Sequence, residues 1–169
     1  MKENFRLVVL TGLLAALTVA IQLSSRMIPL GIFGNVLTGS LVNACLLISS
    51  KLVGIGRGSI ICCITPLCAV LFGMPMPVIF VPFIAVSNFL FIFLNHAIKN
   101  DILRFVIPIL SKALFIYASV RLIIVILGIA SSKASKMLYL FSWPQLITAT
   151  IGMTIAWIVV PHLEKVNHR

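Results

Sequence analysis

The chain has 169 residues, of which 61% are hydrophobic and only 9% charged, and its mean hydropathy is +1.20. Soluble domains average roughly half apolar and a quarter charged residues, so this composition excludes a soluble globular protein and leaves a single membrane domain over residues 1–169. A net charge of +10 would suggest a nucleic-acid partner in a soluble chain, but here the basic residues fall between apolar runs and report topology, with no nucleic acid implied.

Lys2 and Arg6 precede the apolar run Leu7–Leu23, as in a signal peptide. No small-x-small cleavage site leads into a polar mature segment, and Arg26-Met27-Ile28-Pro29 is followed by more membrane sequence, so the run reads as a retained helix. Six transmembrane helices are predicted, at about 7–24, 35–51, 58–73, 77–97, 106–130 and 138–161, each near the ~20 residues that cross a ~30 Å hydrocarbon core. The fold class is therefore an all-α integral membrane protein, a six-transmembrane-helix bundle. A barrel would need short segments of alternating polarity, which these runs do not have.

The breaks carry turn residues: Pro29-Leu30-Gly31, Gly54-Ile55-Gly56-Arg57-Gly58, Gly73-Met74-Pro75-Met76-Pro77, Asn100-Asp101 and Ser131-Ser132-Lys133-Ala134-Ser135-Lys136. With an even number of crossings, Lys2, Arg6, Lys51, Arg57, Lys99, Arg104, Lys165 and Arg169 share one side and Arg26, Lys133 and Lys136 the other. That asymmetry predicts both termini in the cytoplasm. Gly54-Ile55-Gly56-Arg57-Gly58 resembles part of a phosphate loop, but it lacks the Gly-Lys-Ser/Thr ending and follows no strand, so it reads as a turn.

Glu3, Asp101 and Glu164 are the only acids, and all lie at segment ends. An intramembrane proton relay or metalloprotease has no carboxylate to use. His96, His162 and His168 lie near the same ends, which disfavours haem ligation and a serine-histidine dyad. Cys45, Cys62, Cys63 and Cys68 sit in apolar runs without ligand spacing, so they are expected to be small buried residues. No catalytic residue, cofactor or metal is expected, and any uphill transport would draw its energy from a partner.

Along the first segment, Gly12, Ala16 and Ala20 recur every four residues and form a stripe that lets another helix approach closely. Packing within the chain and docking of a partner both fit the pattern. Asn43, Thr65 beside Pro66, Ser87, Asn88 and Gln145 are the sparse polar groups of the later segments, expected to face the interior and either bond between helices or line a ligand site.

The fifth segment carries Lys112 and Arg121, nine residues apart and thus on opposite helix faces at ~100° per residue. If Pro108 occupies the first turn, Lys112 can extend to the headgroups while Arg121 lies too deep to escape, so Arg121 is the expected anchor for an anionic ligand, with Tyr117 one turn before it. Lys112 takes that role if the helix begins before Pro108.

The overall plan resembles the substrate-binding S component of an energy-coupling factor (ECF) vitamin transporter, a bacterial cell-membrane protein of similar size. Ala16-Leu17-Thr18-Val19-Ala20 matches the family's Ala-x-x-x-Ala motif, by which the first helix meets the partner transmembrane subunit. Leu41-Val42-Asn43-Ala44, Ile64-Thr65-Pro66-Leu67, Gly73-Met74-Pro75 and Val81-Pro82-Phe83-Ile84-Ala85-Val86-Ser87-Asn88 are similar to a run found in many S components of unassigned specificity. The resemblance implies a site in the outer half of the bundle, closed by loops at about 25–34, 73–77 and 131–137. It also implies partners, a transmembrane T subunit and two ABC-type ATPases. The Met-His start of nickel and cobalt members is missing, and only Trp143 and Trp157 are present where thiamine binders are tryptophan-rich. A small polytopic assembly or regulatory subunit without a ligand is the alternative. A lipid-modifying enzyme is disfavoured by the lack of intramembrane acids and histidines.

Overall fold

The computed structural model describes residues 2–27, 31–73, 77–128 and 131–167, and these are helical, with no strand among them. In chain order the elements are α1 (Lys2–Met27), α2 (Gly31–Val53), α3 (Ile55–Leu71), a 3₁₀ turn (Val78–Phe80), α4 (Val81–Ala97), α5 (Asp101–Leu127), α6 (Ser131–Leu140) and α7 (Trp143–Asn167). Among the described residues, five stretches are long and apolar enough to cross a membrane: Glu3–Ser24, Phe33–Val53, Val78–Ala97, Asp101–Leu127 and Met137–Leu163. The third predicted crossing is the shorter α3, whose 17 residues reach about 25 Å at ~1.5 Å per residue.

Local chemistry explains the boundaries. Gly54 has φ 83, a left-handed conformation that a side chain disfavours, and it turns the chain between α2 and α3. α5 starts at Asp101, earlier than the sequence suggests, because the Asn100 side chain accepts hydrogen bonds from the Ile102 and Leu103 amides at 3.1 and 3.2 Å and so caps the helix. Pro108 is consequently inside α5 and not in its first turn. It has no N–H for the Arg104 carbonyl, which instead accepts from Asn95 Nδ2 of α4 at 3.5 Å.

The stretch 131–137, expected as a loop, is part of helix α6. A break at Phe141 and Ser142 separates it from α7, where Pro144 occupies the first turn, a position that tolerates a residue without an N–H. Residues 28–30 of the first expected loop, 74–76 of the proline-rich turn and 129–130 of the fifth segment lie outside the described residues.

α2 and α7 make the closest helix pair. A β-carbon on Gly152 would lie 2.5 Å from Asn43 Cβ and 2.7 Å from the Ser40 carbonyl oxygen, and one on Gly39 would lie 2.9 Å from Thr148 Cγ2. Small residues bring the backbones together where no hydrophobic drive between helices exists. Around this contact Leu46, Leu47, Ile61, Phe91, Ile92 and Met153 form the main apolar cluster. A second cluster, Phe80, Val81, Ile116, Val120 and Ile123, joins α4 to the far half of α5, with Phe80 stacked on Phe141 at 5.6 Å.

One end of the bundle is basic. Single tight connections join α2 to α3 and α4 to α5 there. Arg57 Nη2 donates to Asn4 Oδ1 at 3.4 Å, and Lys51 and Arg104 share a pocket with Trp157 and Pro161 of α7. The start of α1 and the last turns of α7 therefore lie at the same end.

Gly152→Ala is expected to destabilise the protein by about 1–3 kcal/mol through overpacking against α2. Gly12→Ala, whose added carbon meets nothing within 4 Å, should not lower stability, because alanine is the better helix former by about 1 kcal/mol. Thermal unfolding of the two purified variants in detergent checks this, and equal melting temperatures would refute the close packing of α2 on α7.

Candidate functional site: a buried lysine between two asparagines

Because α5 begins at Asp101, Lys112 lies eleven residues in, about 16 Å along the axis at ~1.5 Å per residue. It does not extend to the headgroups: the side chain is 3% exposed. Its Nζ donates to Asn88 Oδ1 of α4 at 2.7 Å and to Asn43 Oδ1 of α2. The ammonium also stands 4.9 Å from the centroid of the Phe91 ring, which adds a cation–π attraction. Asn43 Nδ2 in turn donates to Thr148 Oγ1 of α7 at 3.4 Å, and that hydroxyl donates to the Gln145 carbonyl at 3.2 Å. One cation thus draws polar groups from α2, α4 and α5 into a single point, and Asn43 extends the network to α7.

Among the described residues, no carboxylate meets this cation. Glu3 and Asp101 lie in the first turns of α1 and α5, and Glu164 is near the end of α7. A charge inside a membrane domain is stabilised by neutral dipoles only at considerable cost, which marks the position as functional or as a deliberate structural joint. Two amide oxygens and an aromatic face hold positive charge well, and an anion brought to the same point would find an ammonium with no competing carboxylate.

Arg121, the expected anchor, is exposed on the outside of α5, with its guanidinium 5.8 Å from the Tyr117 ring. The expectation of a buried Arg121 is corrected by the earlier helix start. That start carries Lys112 past the headgroup level and leaves Arg121 near the far end of α5, where it stacks on Tyr117 at the surface. The opposite-face relation holds, and Lys112 is on the inner face.

Of the remaining candidates, Asn43 and Asn88 join Lys112. Gln145 is half-buried and reaches the network only through its backbone carbonyl. Tyr117 lines a shallow groove with Trp143 and Leu146 between α5 and α7. Thr65 is buried but donates to the Ile61 carbonyl at 2.6 Å, while its own carbonyl accepts from Gln22 Nε2 of α1 at 3.3 Å. Thr65 thus joins α1 to α3 and has no bond to Lys112. Ser87 is fully buried, and its hydroxyl lacks a hydrogen-bond partner.

Gly12, Ala16 and Ala20 are all exposed. α1 turns Thr18, Leu14 and Ala15 towards the bundle instead, so of the two readings of the stripe, packing within the chain does not hold. Thr148, Phe91 and Asn95 were not among the sequence candidates. Asn88, Phe91 and Asn95 follow the i, i+3, i+7 spacing of one helix face, a signal that would have grouped them.

No family model matches the chain, and neither the curated proteins nor the solved structures contain a match.

Lys112→Ala leaves two amide oxygens unpaired in the interior and is expected to cost at least about 2 kcal/mol. Arg121→Ala should cost under about 0.5 kcal/mol. If denaturation ranks the two variants the other way, the assignment of the inner face of α5 is wrong.

Proposed function

We propose that this chain is the substrate-binding S component of an ECF transporter in the bacterial cell membrane, importing a small anionic vitamin-like molecule. The observation that carries the reading is the ammonium of Lys112, enclosed by Asn43 and Asn88 at mid-bundle, with no carboxylate beside it among the described residues. A buried ammonium held by neutral amides favours a ligand carboxylate or phosphate, and the amides around it supply further hydrogen bonds. In this reading α3 completes six crossings, both termini are cytoplasmic and the basic end faces the cytoplasm.

The exposed stripe Gly12, Ala16 and Ala20 supports docking of the T subunit, with two ABC-type ATPases supplying the energy that this chain has no residues to extract. The ligand reaches Lys112 when the helix ends opposite the basic end separate. Its anionic group then replaces one asparagine oxygen as the ammonium's partner.

A second reading, a small assembly or regulatory subunit with no ligand, is favoured by one observation: Lys112 already has its acceptors within the chain. Mass spectrometry of what copurifies with the wild-type protein separates the two. A bound anionic metabolite is expected. A retained cation, or no ligand together with no thermal stabilisation by any vitamin-like acid, would contradict the transporter reading.

Lys112→Gln keeps a donor for the asparagines but removes the charge, and it should weaken ligand affinity by roughly tenfold or more, the worth of one charge-assisted hydrogen bond. Ala16→Trp or Ala20→Trp should abolish copurification with the T subunit and ATPases and leave ligand binding unchanged, since the indole projects from an exposed face. Intact complexes in both tryptophan variants would remove α1 from the interface.

A further inference from the structure

At the basic end, α2, α4, α5 and α7 line a pocket of about 510 Å³. Lys51 at the end of α2, Asn95 of α4, Asp101 and Arg104 of α5 and Trp157 of α7 line it. Arg104 stands on the pocket wall, and a phosphate oxygen entering the pocket would meet its guanidinium side chain.

We infer that this pocket binds the headgroup of an anionic phospholipid. Among the described residues, Lys51 and Arg104 against Asp101 leave a net positive lining, and guanidinium is suited to phosphate. The surroundings favour a lipid over a free anion. Trp157 of α7 lines the pocket and is exposed, and Ile102 and Leu103 of α5 and Ile158 of α7, next in sequence to lining residues, are large, exposed apolar side chains. A headgroup seated on Lys51 and Arg104 would lay its acyl chains along these residues. Trp157 is placed as aromatic residues are at a membrane interface, edge-on to Phe105 at 5.3 Å between ring centroids. Asp101, in the first turn of α5, accepts a hydrogen bond from a headgroup hydroxyl. The site is separate from Lys112 and does not depend on the transporter reading.

The chain has two tryptophans, so Trp143→Phe leaves Trp157 as the only one, reporting on this pocket. That protein is reconstituted in phosphatidylcholine vesicles containing rising fractions of brominated phosphatidylglycerol, and quenching of Trp157 is followed. Quenching should exceed the bulk fraction of the brominated lipid, with a preference over brominated phosphatidylcholine of roughly fivefold for each cation engaged. Arg104→Gln and, separately, Lys51→Gln should each lower that preference, and if one fails to fold the other carries the test. Equal quenching by the two lipids, or a preference unchanged in the folded variants, would overturn the inference. Loss of the quenching in millimolar inorganic phosphate would mark a free-anion site and overturn the lipid reading.

Discussion

The arrangement of this bundle depends on one requirement: an ammonium buried among apolar helices needs oxygen acceptors, and among the described residues no carboxylate is one of them. Lys112 obtains them from Asn43 and Asn88, residues of two helices far apart in sequence. Satisfying one charge therefore fixes the rotation of α2, α4 and α5 about their own axes. Apolar contacts alone would specify that rotation poorly, because in lipid a leucine is as well placed outside the bundle as inside it. The glycine contact at Gly152 brings α7 against Asn43 itself, so the asparagine is held by packing on one side and by the lysine on the other.

The remaining elements are arranged around this joint. α1 touches the bundle through Thr18, Leu14 and Gln22 and leaves most of its surface exposed, which suits an element that meets another chain. α5 and α7 lie against each other less tightly than α2 and α7, with openings towards both ends of their seam. One closely packed and one loosely packed helix pair thus share α7. That distribution is compatible with a protein that opens at one seam while the α2–α7 pair holds its shape.

Much of this was legible in the sequence. Composition and run length suffice for a helical membrane domain, since lipid leaves the backbone few alternatives. Asn43, Asn88 and Lys112 stand out as polar residues in apolar runs. The choice between Lys112 and Arg121 turned on where α5 starts. Pro108 suggested a late start because proline suits a first turn, yet Asn100 was the stronger cap, and Asn95 reaches across from α4 to the carbonyl that Pro108 leaves open. The exposed side of α1 was not legible, because a small-residue stripe looks the same whether it packs inside or outside. Thr148 was missed for a different reason: a lone threonine on an apolar helix ordinarily bonds its own backbone, and only the approach of α2 at Gly39 brings it to Asn43.

A double-mutant cycle on Lys112→Met and Asn88→Leu tests the central claim most directly, because it isolates the interaction energy of the pair from the effects of each change alone. Stability is measured by unfolding in mixed micelles for the wild type, both single variants and the double variant. Asn88→Leu takes one of two acceptors from Lys112 and Lys112→Met takes the donor from both asparagines, whereas the double change removes the Lys112–Asn88 pair and leaves only Asn43 Oδ1 without its donor. The double variant should therefore be more stable than the sum of the single effects allows, by at least about 1 kcal/mol. Additive effects within about 0.3 kcal/mol would mean that the two side chains do not meet, and would contradict the account of the fold built on them.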